Sequence, residues 1–197
     1  MNKMLKNFVF LILVSLVAFS CVSKKEKIEE IRTELIEILK TDQEPRNRIV
    51  ELWQTAPNDT LSQRQLGMEI WRNDSINLIR VCEIIDQYGL VFGEENEILW
   101  VVIQHGSLEA QQKYLPMFVE AAEQRNIKGE LVAMLQDRIA CCLEQPQIYG
   151  TQGNYNENGI FEPVAMIEPE KVNERRASIG MNTLEEYIEQ MNNQYTK

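Results

Sequence analysis

Apolar residues return every three or four positions through most of this chain, from Ile28, Ile31, Leu35 and Ile38 to Leu131, Met134, Leu135 and Cys142. That period of about 3.6 residues commits the chain to amphipathic helices packed on one another. The expected architecture is mainly α: a single-domain helical bundle of about seven or eight helices with a small C-terminal β-hairpin. After the first helix, Thr41-Asp42-Gln43-Glu44-Pro45 reads as an N-cap with proline in the next turn, opening a short second helix through Ile49, Leu52 and Trp53. A long helix from Asp59 to Tyr88 carries Leu61, Leu66, Ile70, Ile76, Ile79 and Ile84 as its apolar pattern and stops at Gly89. Glu94 to His105 is apolar around most of its circumference and is expected at the centre. Leu108 to Arg125 should kink at Pro116, which lacks a donor, and Glu130 to Leu143 follows. From Gln145 the pattern shifts to a hairpin turning at Asn158-Gly159. Lys171 to Ser178 and Thr183 to Met191, with a Thr183 to Glu186 capping box, close the chain.

The first twenty residues have a different grammar. Lys3 and Lys6 precede an apolar run from Phe8 to Phe19, and Ala18 and Ser20 stand before Cys21. This is the pattern of a lipoprotein export signal, and the run is shorter than the roughly 20 residues a spanning helix needs. The expectation is a signal peptide at 1–20, a lipidated Cys21 with tether at 21–27, and one domain at 28–193. Membrane attachment would run through lipid on Cys21, on the outer-membrane or periplasmic side of the cell envelope. Loss of the signal leaves 18 basic against 30 acidic residues, a net charge of about −12. Such a body is repelled by phosphate backbones, so no nucleic-acid partner is expected. Cys82, Cys141 and Cys142 lack any Cys-x-x-Cys spacing; a Cys82 disulfide to either of the others is permitted outside the cytoplasm, but small buried hydrophobes within helices are the favoured reading.

Polar residues that interrupt apolar patterns mark the candidate site. Asp42 either caps a helix or serves chemistry, with Gln43 and Arg46 projecting from the next turn. Gln104-His105 ends the most apolar helix and carries the chain's single histidine, an acid–base candidate whose plainer role is to bond the last carbonyls. Asp137 is its alternative carboxylate partner. Arg138 shares a stripe with Leu131, Met134 and Leu135, so it either holds a carboxylate or phosphate or pairs internally with Asp42 or Glu144. Strand alternation would place Gln147, Tyr149 and Thr151 on one face, lining a pocket wall with Gln152 or forming the exposed side of a ribbon. Arg175 and Arg176 either close that pocket or face solvent. Asn154-x-Asn156-x-Asn158-Gly159 imitates a calcium loop but lacks the closing glutamate, with Ala165 in its place. No zinc spacing, phosphate loop, dinucleotide fingerprint or nucleophile elbow occurs, and no metal or cofactor is expected.

Taken in order, Asp42-Gln43-x-x-Arg46, Asp74-x-x-Asn77, Tyr88-Gly89, Trp100 with Gln104-His105, Asp137-Arg138, Pro146-Gln147-x-Tyr149-Gly150-Thr151-Gln152 and Val172-Asn173-x-Arg175-Arg176 resemble a bacterial family known only as a domain of unknown function. The likeness spans about Ile31 to Met191. It departs from the family pattern at Gly106-Ser107, where an acidic residue is frequent, and at Leu90, where an aromatic is. The resemblance implies one mostly helical domain with a shared polar site, and brings no activity, substrate or cofactor.

The residues then support three expectations. The first is a polar cleft for a small anionic ligand, received by Arg46, Arg138 and Arg175 and oriented by His105, Gln147, Tyr149 and Gln152. The second is a hydrolase-like enzyme with His105 as general acid or base, aided by Asp42 or Asp137. The third is a structural or interaction lipoprotein. Oligomeric state is open.

Overall fold

The computed structural model describes the backbone of residues 3–195 and the side chains of residues 25–193. The described residues are mainly helical, with seven helices and one two-stranded antiparallel hairpin near the C-terminus. In order they are α1 (Lys3–Thr55), α2 (Thr60–Tyr88), α3 (Asn96–His105), α4 (Leu108–Glu123), α5 (Gly129–Cys142), β1 (Gly153–Tyr155), β2 (Phe161–Pro163), α6 (Val172–Ser178) and α7 (Leu184–Tyr195). Single 3₁₀ turns at Gly93–Glu95 and Pro169–Lys171 lead into α3 and α6. The Cys21 side chain and the leader residues around it lie outside the described side chains. Among the described residues no helix is long and apolar enough to cross a membrane.

The expected break at Asp42 to Pro45 does not occur. α1 is one helix with Pro45 inside it, and it is helical across 21–27, where a tether is expected. α4 likewise continues through Pro116. The caps follow local chemistry: Asp59 accepts from the Ser62 N–H at 3.1 Å to start α2, and Ser107 from Ala110 at 3.3 Å to start α4. The Thr183–Glu186 box forms reciprocally at the head of α7, at 2.9 and 3.3 Å.

α1 and α2 form an antiparallel pair, α3 packs against both, and α4 and α5 complete the bundle. Ile98, Leu99, Trp100, Val102 and Ile103 of α3 are all buried, which accounts for its nearly continuous apolar sequence. They meet Ile31, Leu35 and Ile38 of α1, Val81, Ile84 and Ile85 of α2, and Phe118, Val132 and Leu135 of α4 and α5 in one core. The hairpin pairs Gly153 with Pro163 and Tyr155 with Phe161, later than the alternation from Ile148 suggests. Its turn is built by Asn156, whose Oδ1 accepts from the Asn158 and Ile160 N–H groups, with Gly159 at φ 72°. This Asx turn is what the imitation calcium loop is. Cys82, Cys141 and Cys142 are free thiols; Cys142 is exposed rather than buried.

Candidate functional site

Pro45 explains how α1 presents Asp42. Without an N–H, proline leaves the Thr41 carbonyl, its partner four residues back, outside the helical ladder. Asn73 of α2 takes the missing place, its Nδ2 donating to that carbonyl at 2.8 Å, and Asn77 of the same helix bonds the Thr41 hydroxyl. One residue on, Arg46 Nη1 donates to the Asp42 carbonyl at 2.8 Å, while Nη2 of the same guanidinium reaches both Asp74 oxygens at 2.8 Å. The proline defect is thus repaired from the neighbouring helix, so α1 does not end there. Replacing Asn73 by Ala is expected to lower stability by about 1–3 kcal/mol, because the carbonyl it serves sits in a part-buried helix interface. Urea unfolding checks this, with an unchanged midpoint as the contrary result.

The fully buried Asp42 carboxylate stands at the centre of this region. Gln43 Nε2 donates to Oδ2 at 2.6 Å, and His105 Nδ1 lies 3.0 Å from Oδ1, with Arg46 Nη1 at 3.4 Å from the same oxygen. A carboxylate only accepts, so Nδ1 carries a proton, and in the neutral imidazole Nε2 is the nitrogen left with a lone pair. The His105 side chain is 20 % exposed and its Nε2 bonds to no group among the described residues. Asp42, Asp74 and His105 each offer a ligand atom, all within 4.8 Å of one another, a spacing a metal ion could use. Arg46 already fills that role, since its fork takes both Asp74 oxygens and supplies the positive charge between the two acids.

The other sequence-predicted residues assemble elsewhere. Asp137, fully buried on α5, accepts from the N–H groups of Ile148 at 2.7 Å, Tyr149 at 3.0 Å and Thr151 at 2.9 Å, and from the Thr151 hydroxyl at 2.9 Å. It therefore does not partner His105; it nucleates the loop after α5. Gln147 is fully buried too, donating to the Gln152 and Val164 carbonyls and accepting the Gln152 N–H. Residues 147–151 are accordingly no strand, and no alternating face exists there. Only Gln147 forms an isolated bridge, to Met166. Gly150, at φ 75°, is required: a Cβ would fall 2.7 Å from Met166 Sδ and 2.9 Å from Leu184 Cδ1.

Arg175 donates Nε to the Ile148 carbonyl at 2.8 Å and Nη2 to that of Ile167, so it serves main chain rather than a ligand. Gln152 Nε2 donates to the Thr151 hydroxyl. Arg138 has no ion pair with Asp42 or Glu144, contrary to the internal-pair expectation; its Nε is buried without a partner, as are Gln104 Oε1 and Trp100 Nε1. The Tyr149 hydroxyl has no hydrogen-bond partner among the described residues, and Tyr149 lines a cavity of about 600 Å³ with residues of α4, α5 and the end of α6. Burial is the main cause that pushes its pKa above the ordinary tyrosine value, the Asp137 charge adds to this, and Arg175 opposes it. Sequence reasoning missed Asn73 and, as the Arg46 partner, Asp74; Arg176, expected to close a pocket or face solvent, is instead fully buried and donates to the Asn182 and Tyr149 carbonyls. The signal for Asn73 was available, since proline at 45 guarantees an orphaned carbonyl at 41.

The molecule is a small helical-bundle domain whose single histidine is held by a buried aspartate across two helices. It belongs to the Family of unknown function (DUF6624), whose model matches residues 29–197. No curated protein and no solved structure matches the chain.

Proposed function

We propose that this chain is a lipid-anchored envelope enzyme of hydrolase type in which His105 is the general acid–base and Asp42 its orienting carboxylate. The observation carrying this reading is the 3.0 Å contact from His105 Nδ1 to a carboxylate with no solvent exposure, on an imidazole whose Nε2 has no partner among the described residues. In such a pair Nε2 takes a proton from water as the oxygen attacks an ester, amide or glycosidic centre, then returns it to the leaving group. The buried carboxylate fixes the tautomer and stabilises the imidazolium formed between those two transfers. Asp42 and Asp74 carry two negative charges against the one of Arg46, so the cluster accommodates that transient cation.

His105 is the only histidine, so imidazole ¹⁵N resonances report this site without assignment. The expected result at neutral pH is protonated Nδ1 and acceptor Nε2, with Asp42→Asn mixing the tautomers. Across a panel of chromogenic esters, amides and glycosides, His105→Ala is expected to reduce any turnover by about 10²–10⁴-fold while the circular dichroism is unchanged. Full activity in that folded variant would remove the reading.

A second reading, a binding site for a small anion, is favoured by the Tyr149 cavity. Its lining includes Tyr149, Gln136 and Arg125, none with a side-chain partner among the described residues, together with apolar Val132 and Ile179 and with Glu123. Arg125, not Arg46 or Arg175, would then receive the anion. Tyr149→Phe and Arg125→Ala should each weaken a saturable response to acidic amphipathic metabolites, and a response that ignores both would exclude this cavity.

A further inference from the structure

Five buried side-chain N or O atoms have no hydrogen-bond partner among the described residues. Four of them, Trp100 Nε1, Gln104 Oε1, Gln111 Oε1 and Arg138 Nε, lie on α3, α4 and α5; the fifth belongs to Arg32, whose guanidinium is paired with Glu95. Arg138 goes furthest, with no hydrogen bond and no ion pair to any described residue. Arg64, Arg72 and Arg125 also lack partners, but they are exposed to water, whereas Arg138 is half-buried. A cation withdrawn from water without an acceptor costs stability, so the fold gains nothing from this one.

Helix directions bring Arg138 to the level of His105. Lys128, at the head of α5, pairs with Glu97 in the first turn of α3 at 3.0 Å. α4 starts at the end of α3, where Gln111 Nε2 donates to the Gln104 and Gly106 carbonyls, and carries the chain back to Lys128, so α5 runs in the same direction as α3. Counted from that ion pair, His105 is about 12 Å along α3 and Arg138 about 15 Å along α5, and helical side chains lean back toward the N-terminus. On α3, Glu97, Trp100 and Gln104 fall within about 60° of one another, on the face Glu97 turns to α5, and His105 lies about 100° further round, toward Asp42 of α1. On α5, Asp137 is turned to the following loop, and Gln136 and Val132 line the cavity beside α4, which leaves Leu131, Met134 and Arg138 on the side of α3. Half-buried Val101 falls between Gln104 and His105, so this strip of α3 between α1 and α5 is not fully covered.

The unpartnered atoms define what would complete them. Arg138 calls for an anion, and the guanidinium fork matches a carboxylate through Nε and one Nη. Gln104 Oε1 only accepts, which disfavours a phosphate dianion beside it and calls for a donor N–H next to the anion. Trp100, 4 % exposed, offers its own N–H to a carbonyl. Carboxylate, N–H and carbonyl, met at successive levels from Arg138 through Gln104 to Trp100, are the terminal residue of a peptide or of an N-acyl amino acid.

We propose that the strip of α3 between α1 and α5 is a subsite for the C-terminal residue of a peptide or N-acyl amino acid, with Arg138 on its carboxylate and Gln104 on its amide N–H. For its chemical step the subsite rests on the hydrolase reading: water adds to the acyl carbon, the C–N bond breaks, and His105 Nε2 passes the water proton to the departing amine, leaving an acid and a free amino acid. Arg138 and Gln104 bind and orient the substrate, and the proton transfer stays with His105.

The test uses the full chain in mild detergent. Trp53 and Trp71 are exposed, so Trp53→Phe/Trp71→Phe leaves Trp100 as the single tryptophan reporting the strip. The probes are N-acetyl dipeptides of varied terminal residue, each as free carboxylate and as carboxamide, with inorganic phosphate as the competing anion. The carboxylates should give a saturable fluorescence change at concentrations about tenfold or more below those the carboxamides need. Arg138→Gln should bind both forms alike, Arg138→Lys should keep part of the preference, and Gln104→Leu should lose the preference for the dipeptide over its ester analogue, which lacks the N–H. Because Arg138 forms no hydrogen bond in the fold, Arg138→Gln should melt at the same temperature as the parent. Equal binding of carboxylate and carboxamide, no binding of either, tighter binding of phosphate, or a melting temperature several degrees lower in Arg138→Gln would each overturn the proposal. Release of amino acid separates the two readings: carboxylate-selective binding without turnover would sink the hydrolase alone, and turnover blind to the carboxylate would sink the subsite alone.

Discussion

Asp137→Asn is expected to destabilise the protein by about 3–5 kcal/mol, the largest effect of any conservative change. The carboxylate is completely buried and accepts from three N–H groups of the following loop and one hydroxyl, all at 2.7 to 3.0 Å. Asparagine keeps the shape but turns one acceptor oxygen into a donor amide. Donor then faces donor on that side, and buried N–H groups lose their partners; each such loss costs about 1–3 kcal/mol. For a chain of this size about 2–4 °C of melting temperature accompanies each kcal/mol, so a drop of roughly 6–20 °C should appear in a thermal scan. A drop of under a degree would mean the loop after α5 is held by something else.

Arg176→Lys is expected to be nearly as severe, at about 2–4 kcal/mol. Its guanidinium is fully buried, donating Nε to the Asn182 carbonyl at 2.7 Å, Nη1 to the Tyr149 carbonyl at 2.8 Å and Nη2 to Asn182 Oδ1 at 3.0 Å, with its centre 4.9 Å from the Tyr187 ring. Burial pulls its pKa below the ordinary arginine value, while the nearby Tyr187, Asp137 and Glu185 oppose this. A planar fork can serve three acceptors in different directions and still lie on an aromatic face; an ammonium cannot, and it leaves buried carbonyls unpaired. The part-exposed neighbour Arg175 offers the control, since Arg175→Lys should cost about 1 kcal/mol. The two large effects should also fail to add. The Tyr149 peptide donates its N–H to Asp137 and its carbonyl accepts from Arg176. Once one clamp is lost, the other has less to hold, and the Asp137→Asn/Arg176→Lys double variant should be more stable than the sum of the single changes implies.

These clamps mark the limit of what was legible beforehand. Asp137, Gln147 and Thr151 stood out as polar residues in an unusual pattern, and they do form one site of dense hydrogen bonding. Strand alternation offered Gln147 and Thr151 for a pocket wall, but in the folded chain they are buried: Gln147 serves main chain, and Thr151 donates both its N–H and its hydroxyl to Asp137. A carboxylate aimed at a loop's N–H groups leaves no periodic trace, because its acceptors are backbone atoms common to every residue. The Asp42–His105 contact was nameable as an option, and it alone joined two of the predicted site residues in an arrangement able to move a proton. Asp137, offered as the alternative carboxylate, is taken up by the N–H groups of the loop after α5.

Local rules account for the elements themselves. Apolar period, the Asp59 and Ser107 caps, the Thr183–Glu186 box and the Asn156 to Gly159 turn each depend on residues within a few positions of one another, so the sequence by itself determined the order of helices and one hairpin, with one break too many at Asp42 to Pro45. Tertiary structure decided what crosses between elements. It kept α1 whole at Pro45, because Asn73 from α2 repairs the orphaned carbonyl. It set His105 against Asp42, 63 residues away, and left Leu61 and Ile79 facing outward on a helix whose period had marked them for the core. Periodicity says that a helix has an apolar side; only the packing of its neighbours says how much of that side is covered, and which distant polar groups come within the 3 Å or so at which a hydrogen bond forms.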